Sequence, residues 1–174
     1  DIPVLVKNPV NPDLMLWIGA LERFSRSGIT KLVAVHRGFS VYDSKPYRNK
    51  PLWEFPFELR RLLPDLPVLV DPSHISGNRE LLSQVSQTAM DYTFDGLMIE
   101  SHFNPEKALT DKDQQISPAD LARMISLLRL PNCGRGEEEK GGEIEDLRLR
   151  IDDLDDEILH LLARRMEIVK KIGK

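Results

Sequence analysis

The sequence has almost no cysteine, no long apolar run and no basic cluster, and each absence argues against a class of protein. Its one cysteine, Cys133, cannot form a disulfide within the chain, so we expect a protein of the reducing cytoplasm. No apolar run approaches the roughly 18 residues that a membrane span requires. We therefore expect no membrane association, and the formal net charge of −4 over 174 residues leads us to expect no nucleic-acid partner.

What the sequence does contain is a repeated alternation of strand and helix patterns. Short apolar segments at residues 3–6, 31–35, 67–70 and 96–99 each precede a segment with helical periodicity. The first three helical segments lie at residues 12–28, 53–63 and 78–92. The last begins at Ser117 and Pro118, an N-cap and a proline suited to the first turn. This order predicts an α/β fold with a parallel sheet and right-handed crossovers.

Four β-α units are half of an eightfold (β/α)8 TIM barrel, and we predict that residues 1–131 form such a half. Half a barrel leaves two open sheet edges, which is unfavourable for a soluble monomer. The alternative is a complete, small, four-stranded α/β domain. The chain also begins two residues before a strand pattern and ends inside a helix pattern, so we expect a longer protein.

The pattern changes after residue 131. Residues 132–143 contain four glycines and a run of charges, which is typical of a flexible linker. Residues 144–174 have apolar residues spaced alternately three and four apart, which predicts one helix of an incomplete all-α domain. Arg165 occupies one of these apolar positions, so it meets a carboxylate, binds an anionic ligand or extends to the surface. The apolar positions are Ile144, Leu147, Ile151, Leu154, Ile158, Leu161, Ile168 and Ile172.

Polar residues follow each strand pattern, and such strand ends mark the active-site edge of a barrel or a parallel sheet. Lys7 and Arg37 end the first two strands, and two cations at neighbouring strand ends suit a phosphate or a carboxylate. The alternative is that each forms a salt bridge with an acidic residue of a neighbouring strand. His36 is interpreted as a hydrogen-bonded loop histidine and is assigned no role.

His74, Glu100 and Asp111 follow the third and fourth strands and are candidate metal ligands. Their nitrogen and oxygen donors suit Mn²⁺ or Mg²⁺, or a borderline ion such as Zn²⁺ or Fe²⁺. Three protein ligands would leave positions open for a carbonyl substrate. His102 is a weaker fourth candidate, because it shares the side of Glu100 only if the strand is still extended there.

Four motifs resemble the C-terminal half of the 3-deoxy-D-arabino-heptulosonate-7-phosphate (DAHP) synthases. They are KNPVNPD at residues 7–13, HRG at 36–38, DPSH at 71–74 and MIESHFNPEKALTD at 98–111. The resemblance implies a TIM barrel that condenses phosphoenolpyruvate with erythrose 4-phosphate, the first step of the shikimate pathway. It also implies that Lys7 and Arg37 bind phosphoenolpyruvate, with Lys7 and His74 as catalytic residues.

The same resemblance implies that His74, Glu100 and Asp111 hold a divalent ion. Mn²⁺ is the expected ion, and Fe²⁺, Zn²⁺ and Co²⁺ are alternatives. The fourth metal ligand of the family is a cysteine from the first half of the barrel, and Cys133 does not match it.

Residues 147–174, LRLRIDDLDDEILHLLARRMEIVKKIGK, resemble the first helix of the all-helical chorismate mutases. The resemblance implies that Arg148 and Arg165 bind chorismate or prephenate. The two residues are 17 positions apart, which is about 25 Å along a helix and roughly 100° around it. They can therefore share one small ligand only if two chains pair.

The sequence thus predicts a DAHP synthase fused to a chorismate mutase domain that also acts as a feedback regulator, in a homodimer or a homotetramer. One alternative is the related 3-deoxy-manno-octulosonate-8-phosphate synthase, although DPSH and the mutase-like segment argue against it. A second alternative is a catalytically inactive module for binding or dimerisation.

Overall fold

The computed structural model describes residues 2–130, 158, 161–162 and 164–166. Within them, strands alternate with helices in the predicted order, with a short 3-10 turn at Pro105–Lys107. The strands are β1 (Val4–Lys7), β2 (Leu32–His36), β3 (Val68–Val70) and β4 (Gly96–Leu97). The helices of residues 2–130 are α1 (Leu14–Arg26), α2 (Glu54–Leu62), α3 (Pro72–Ser76), α4 (Leu82–Asp91) and α5 (Pro118–Leu127).

The four strands form one parallel sheet in the order β1-β2-β3-β4. Val6 lies opposite Ala34, Ala34 opposite Val68, and Val70 opposite Leu97. Each strand is joined to the next by a connection that contains a helix, as parallel pairing requires. The predicted α/β fold built from β-α units is therefore confirmed.

One face of the sheet carries the helices and the main apolar core. Val6, Ala34, Val68 and Val70 are buried on this face. Side chains alternate along a strand, so Leu5 points to the opposite face, where it is 43% exposed. In a closed barrel that opposite face is the interior. The helices contribute Trp17, Ile18, Leu21, Leu59, Val85 and Ala89 to the same core.

Side-chain caps fix where α1 and α5 begin. Asp13 accepts a hydrogen bond from the backbone N–H of Leu16 at 3.0 Å and starts α1. Ser117 accepts one from the N–H of Asp120 at 3.1 Å and starts α5, with Pro118 in the first turn. The predicted start of the last helix is therefore confirmed, and the mechanism is satisfaction of N–H groups that have no partner within the helix.

The segment after β3 differs from the prediction of one helix over residues 78–92. A separate helix, α3, begins directly after the strand, because Asp71 caps it and Pro72 fits its first turn. Gly77 ends α3 in the left-handed conformation, with φ of 67°. The next helix then starts only at Leu82.

The fourth strand ends at Leu97 and not at residue 99. Its partner β3 ends at Val70, where the chain turns into α3, so the last strand-like bond is from Met98 N–H to the Val70 carbonyl at 2.8 Å. Glu100 consequently lies three residues beyond the strand.

The chain divides into two compact units, Asp1–Pro131 and Asn132–Lys174. In the second unit, Ile158, Leu161 and Arg165 are among the described residues, and each is helical and exposed. Arg165 makes no ion pair with any described residue. Arg148 and the predicted linker at residues 132–143 lie outside the described residues. No helix formed by the described part of the chain is long and apolar enough to cross a membrane.

Candidate active site

The carboxyl ends of the parallel strands bring the predicted polar residues to one edge of the sheet. Lys7 is the last residue of β1, Arg37 follows β2, and Asp71 follows β3. Glu100 joins them through its backbone N–H, which donates to the Ser73 hydroxyl at 3.0 Å. This edge is where α/β folds place their ligands.

Asp71 is the buried acid of this edge, with a side chain only 1% exposed. Its Oδ2 atom accepts a hydrogen bond from Lys7 Nζ at 2.8 Å, and its Oδ1 accepts one from the His74 N–H at 3.0 Å. Burial alone would raise the pKa of the Asp71 carboxyl, but the adjacent His74 ring, the Lys7 ammonium and the His74 backbone N–H outweigh it and hold that pKa below its usual range. Asp71 is therefore ionised at neutral pH and fixes the Lys7 ammonium at the end of β1.

The His74 ring lies between two carboxylates. Its Nδ1 atom is 2.9 Å from Asp71 Oδ2 and 3.6 Å from Glu100 Oε1. The shorter contact lacks the alignment of a hydrogen bond, so Nδ1 has no aligned partner although it is buried. The His74 carbonyl accepts from Asn49 Nδ2 at 2.7 Å, which ties α3 to the loop after β2.

Arg37 is held by its backbone, and its side chain is left available. Its N–H donates to Asn8 Oδ1 at 2.6 Å, and Asn8 Nδ2 donates to the Gly38 carbonyl at 2.8 Å. Asn8 is buried, so these bonds join the ends of β1 and β2. The Arg37 guanidinium makes no hydrogen bond or ion pair with any described residue. The sequence left open whether each cation binds an anion or forms a salt bridge. Lys7 forms a salt bridge, and Arg37 forms none with any described residue.

Asp111 lies next to an arginine that was not among the predicted site residues. Its Oδ1 atom accepts from Arg48 Nη1 at 2.6 Å, and this contact lowers the pKa of the Asp111 carboxyl. The same Arg48 Nη1 donates to Gln114 Oε1 at 2.7 Å, while Gln114 Nε2 donates to Glu100 Oε2 at 3.0 Å. Arg48 and Gln114 therefore connect Asp111 to Glu100.

The donor set can be compared with what a divalent ion requires. Bonds of about 2.1 Å place neighbouring donor atoms about 3.0–3.5 Å apart, and the 3.6 Å between His74 Nδ1 and Glu100 Oε1 is close to that spacing. Asp111 is instead engaged by Arg48. Among the described residues, no three His, Cys, Asp or Glu side chains form a group that could hold a metal ion. The chemistry of the three donors fits an ion, and the spacing of His74 and Glu100 comes near the one that an ion requires.

The two remaining histidines of residues 2–130 lie in other surroundings. His36 is not a hydrogen-bonded loop histidine, as interpreted from sequence, but the buried last residue of β2. Neither ring nitrogen has a hydrogen-bond partner, and burial lowers the pKa of His36 to about 3, against a smaller opposing effect of the Pro51 carbonyl. His102 Nδ1 accepts from the Asn104 N–H at 3.0 Å, and its ring stacks on Phe103.

A parallel sheet with helices on one face and charged residues at its carboxyl strand ends is an arrangement found in β/α-barrel enzymes. Residues 1–129 match the sequence model of the DAHP synthetase I family. The chain belongs to that family. Residues 147–174 match the model of chorismate mutase type II.

Proteins of Thermotoga maritima are among the known proteins similar to this chain. The phospho-2-dehydro-3-deoxyheptonate aldolase of that organism is 32% identical over 114 residues, which is 66% of this chain and 33% of the relative. The crystal structure of a phospho-2-dehydro-3-deoxyheptonate aldolase (DAHP synthase) superimposes with a TM-score of 0.64 at 29% identity, covering 71% of this chain and 36% of that one. A truncated form of 3-deoxy-D-arabino-heptulosonate 7-phosphate synthase gives a TM-score of 0.63 at 29% identity, covering 71% of this chain and 47% of that one. The chain thus spans about a third of the length of the curated relative.

Proposed function

We propose that this protein condenses phosphoenolpyruvate with erythrose 4-phosphate and carries a chorismate mutase domain that converts chorismate to prephenate. The observation that supports the synthase reaction best is the pair of cations at the ends of β1 and β2. Lys7 is ordered by Asp71, whereas the Arg37 guanidinium has no partner among the described residues. Both lie in the part of the chain that matches the DAHP synthetase family.

The chemistry of phosphoenolpyruvate explains why one cation is paired and the other is not. The substrate carries a carboxylate and a phosphate, so its site needs positive charge that is not already neutralised. Arg37 supplies that charge together with a planar fork of donors. Lys7 supplies a directed N–H donor, and Asp71 holds Lys7 and the backbone of His74 in position at the strand ends.

His74, Glu100 and Asp111 are the residues that would hold a divalent ion, with Mn²⁺ preferred over Fe²⁺, Zn²⁺ and Co²⁺. Such an ion would polarise the aldehyde carbonyl of erythrose 4-phosphate. An imidazole with two carboxylates suits these ions. The short distance between His74 and Glu100 supports this assignment, whereas Asp111 must also offer an oxygen that Arg48 does not hold.

The test is consumption of phosphoenolpyruvate by the purified protein with Mn²⁺ and erythrose 4-phosphate, followed as release of inorganic phosphate. Arg37→Met should raise KM for phosphoenolpyruvate about 10- to 100-fold, because a charge-assisted interaction contributes about 1.5–3 kcal/mol. Its folding should be largely unchanged, because the Arg37 side chain makes no hydrogen bond or ion pair with any described residue. Arg26→Met is the matched control, since Arg26 is an exposed arginine paired with Glu22.

Two results would count against the proposal. Turnover with arabinose 5-phosphate but not with erythrose 4-phosphate would favour the octulosonate synthase alternative. Absence of phosphate release with either aldehyde would favour a binding or dimerisation module.

The C-terminal segment supports the mutase part of the proposal through its match to chorismate mutase type II. Arg148 and Arg165 would bind the two carboxylates of chorismate or prephenate from two paired chains, so we propose a homodimer or a homotetramer in the cytoplasm. Prephenate that inhibits the synthase reaction, with the inhibition lost in Arg165→Ala, would support a regulatory role for this segment. Inhibition equal in both proteins would contradict it.

A further inference from the structure

Gln114 is the most deeply buried amide side chain near the strand ends, at 1% exposure. Both its amide oxygen and its amide nitrogen form hydrogen bonds. Its Oε1 atom accepts from Arg48 Nη1 at 2.7 Å, and its Nε2 donates to Glu100 Oε2 at 3.0 Å. A guanidinium can only donate and an ionised carboxylate can only accept, so the orientation of the amide is fixed by its two neighbours. The side chain therefore joins a cation to an acid in a single geometry.

Arg48 continues this connection to the second acid. Its Nη1 atom carries two hydrogens, and the two acceptors within reach are Gln114 Oε1 and Asp111 Oδ1, the latter at 2.6 Å. Arg48 and Gln114 thus form a bridge between the carboxylates of Glu100 and Asp111. We name it the Arg48–Gln114 bridge.

The bridge is also anchored to the helix that carries His74. The N–H of Arg48 donates to the Ile75 carbonyl at 3.0 Å, and the side chain of the next residue, Asn49, donates to the His74 carbonyl at 2.7 Å. The Arg48 side chain packs directly over Gly77, where any Cβ would overlap it. The position of Arg48 is therefore set by α3.

We infer that Arg48 and Gln114 are positioning residues that align Glu100 and Asp111 with His74 for a divalent ion. The inference rests on the proposed function of those three residues. The bridge contacts Oε2 of Glu100 and leaves Oε1 facing His74, and it contacts Oδ1 of Asp111 and leaves Oδ2 without a described partner. Partners that hold one oxygen of a ligand and leave the other available typically change metal affinity 10- to 100-fold when removed.

The opposite role is a competing ion pair, in which Arg48 withholds Asp111 from the ion. The two roles predict opposite changes in metal affinity when Arg48 is replaced. Loss of an aligning residue weakens metal binding, whereas loss of a competing cation strengthens it. The buried amide favours alignment, because simple competition for Asp111 would not require a second bond to Glu100.

The experiment measures Mn²⁺ affinity by calorimetry in the unmodified chain and in Arg48→Met and Gln114→Met. Each variant should bind Mn²⁺ at least 10-fold more weakly. The double variant should bind Mn²⁺ about as weakly as each single variant, because either substitution breaks the same bridge. Arg61→Met is the matched control, since Arg61 pairs with Glu58 on the surface of α2, and its affinity should be unchanged.

A metal-free measurement separates alignment from loss of folding. Amide hydrogen exchange at the Gln114 N–H, which donates to the Asp111 carbonyl at 3.1 Å, should become faster in Arg48→Met. Exchange within β1 to β3 should stay unchanged, and Arg48 is half exposed, so this variant should fold.

Affinity that is equal or higher in both variants would refute the bridge as an aligning device while leaving the metal site intact. Unchanged exchange at Gln114 would refute it as well. If the unmodified chain binds no Mn²⁺, the metal site itself is refuted, and the aligning role falls with it.

Discussion

Substitution of His36 by Phe should remove most of the loss of stability that we expect for the protein on mild acidification. The ring of His36 is fully buried among Trp17, Phe39 and Trp53 and has no hydrogen-bond partner, so the folded protein keeps it neutral. Burial lowers its pKa from the ordinary value of 6.5 to about 3. Between these values the unfolded chain binds a proton that the folded chain does not. Stability therefore falls as the pH drops below 6.5.

The size of the effect follows from that difference. At pH 5 the unfolded state is stabilised by protonation of His36 by about 2 kcal/mol, and at pH 7 by about 0.2 kcal/mol, while the folded state gains almost nothing at either pH. The unmodified protein should thus lose about 2 kcal/mol more than His36→Phe between pH 7 and pH 5. At pH 7 the two should differ by less than about 1.5 kcal/mol, because the rings are similar in size and Phe buries no unpaired nitrogen.

The assay is urea unfolding followed by tryptophan fluorescence at pH 7, 6 and 5. The fluorescence reports on the surroundings of His36, because both tryptophans of the chain, Trp17 and Trp53, contact that residue. Phe39→Leu is the control, since it removes core volume beside His36 without a titratable group and should cost about 1–2 kcal/mol at every pH. Parallel stability curves for the unmodified protein and His36→Phe from pH 7 to 5 would refute the reasoning.

Three further predictions concern the ends of the strands and helices. Asp71→Asn should lower stability by about 2 kcal/mol at pH 7, because the buried carboxylate loses its charge while Lys7 keeps its own. The Asp71 pKa is lowered in the folded state, so its contribution is present at neutral pH and lost as the pH falls through that lowered value. The difference between the two proteins in urea midpoint should shrink below about pH 4. Gly38→Ala should cost about 1–3 kcal/mol in thermal unfolding, because Gly38 has φ of 73° and a Cβ would lie 2.7 Å from the Asn49 carbonyl oxygen. Ser117→Ala should cost about 1 kcal/mol by removing the cap of α5, and Ser117→Asp should restore it; equal losses in both would contradict a capping role.

The alternation of β-α units was predictable from sequence because it depends on local periodicity. The helix α3 was not predicted, because DPSH was interpreted as a polar strand end. The same residues also fit a helix cap, Asp71, followed by a proline in the first turn, Pro72. In the structure Asp71 is both the polar residue that follows β3 and the cap of α3. The early end of β4 could not be predicted from its own residues, since it follows from where β3 stops offering carbonyls.

The candidate site was predictable only where residues follow strands. Lys7, Arg37 and His74 lie one, two and four residues after apolar segments, and the structure places them at one edge. Arg48 and Gln114 are 66 positions apart, in loops with no periodicity, and no sequence spacing indicates that they meet. Asn8 could have been suspected as a polar residue directly after a strand, but its partner at position 37 depends on the register of β1 and β2.

The contrast between Arg37 and Asp71 has a consequence for how such a site would decay in evolution. The Arg37 side chain makes no hydrogen bond or ion pair with any described residue, so a copy of this gene released from selection for activity could lose it with little loss of stability. Asp71 caps α3, pairs with Lys7 and lies against His74, so selection for folding alone would retain it. Among related sequences, loss of the arginine at position 37 while Asp71 persists would therefore identify copies that keep the fold and have given up the reaction.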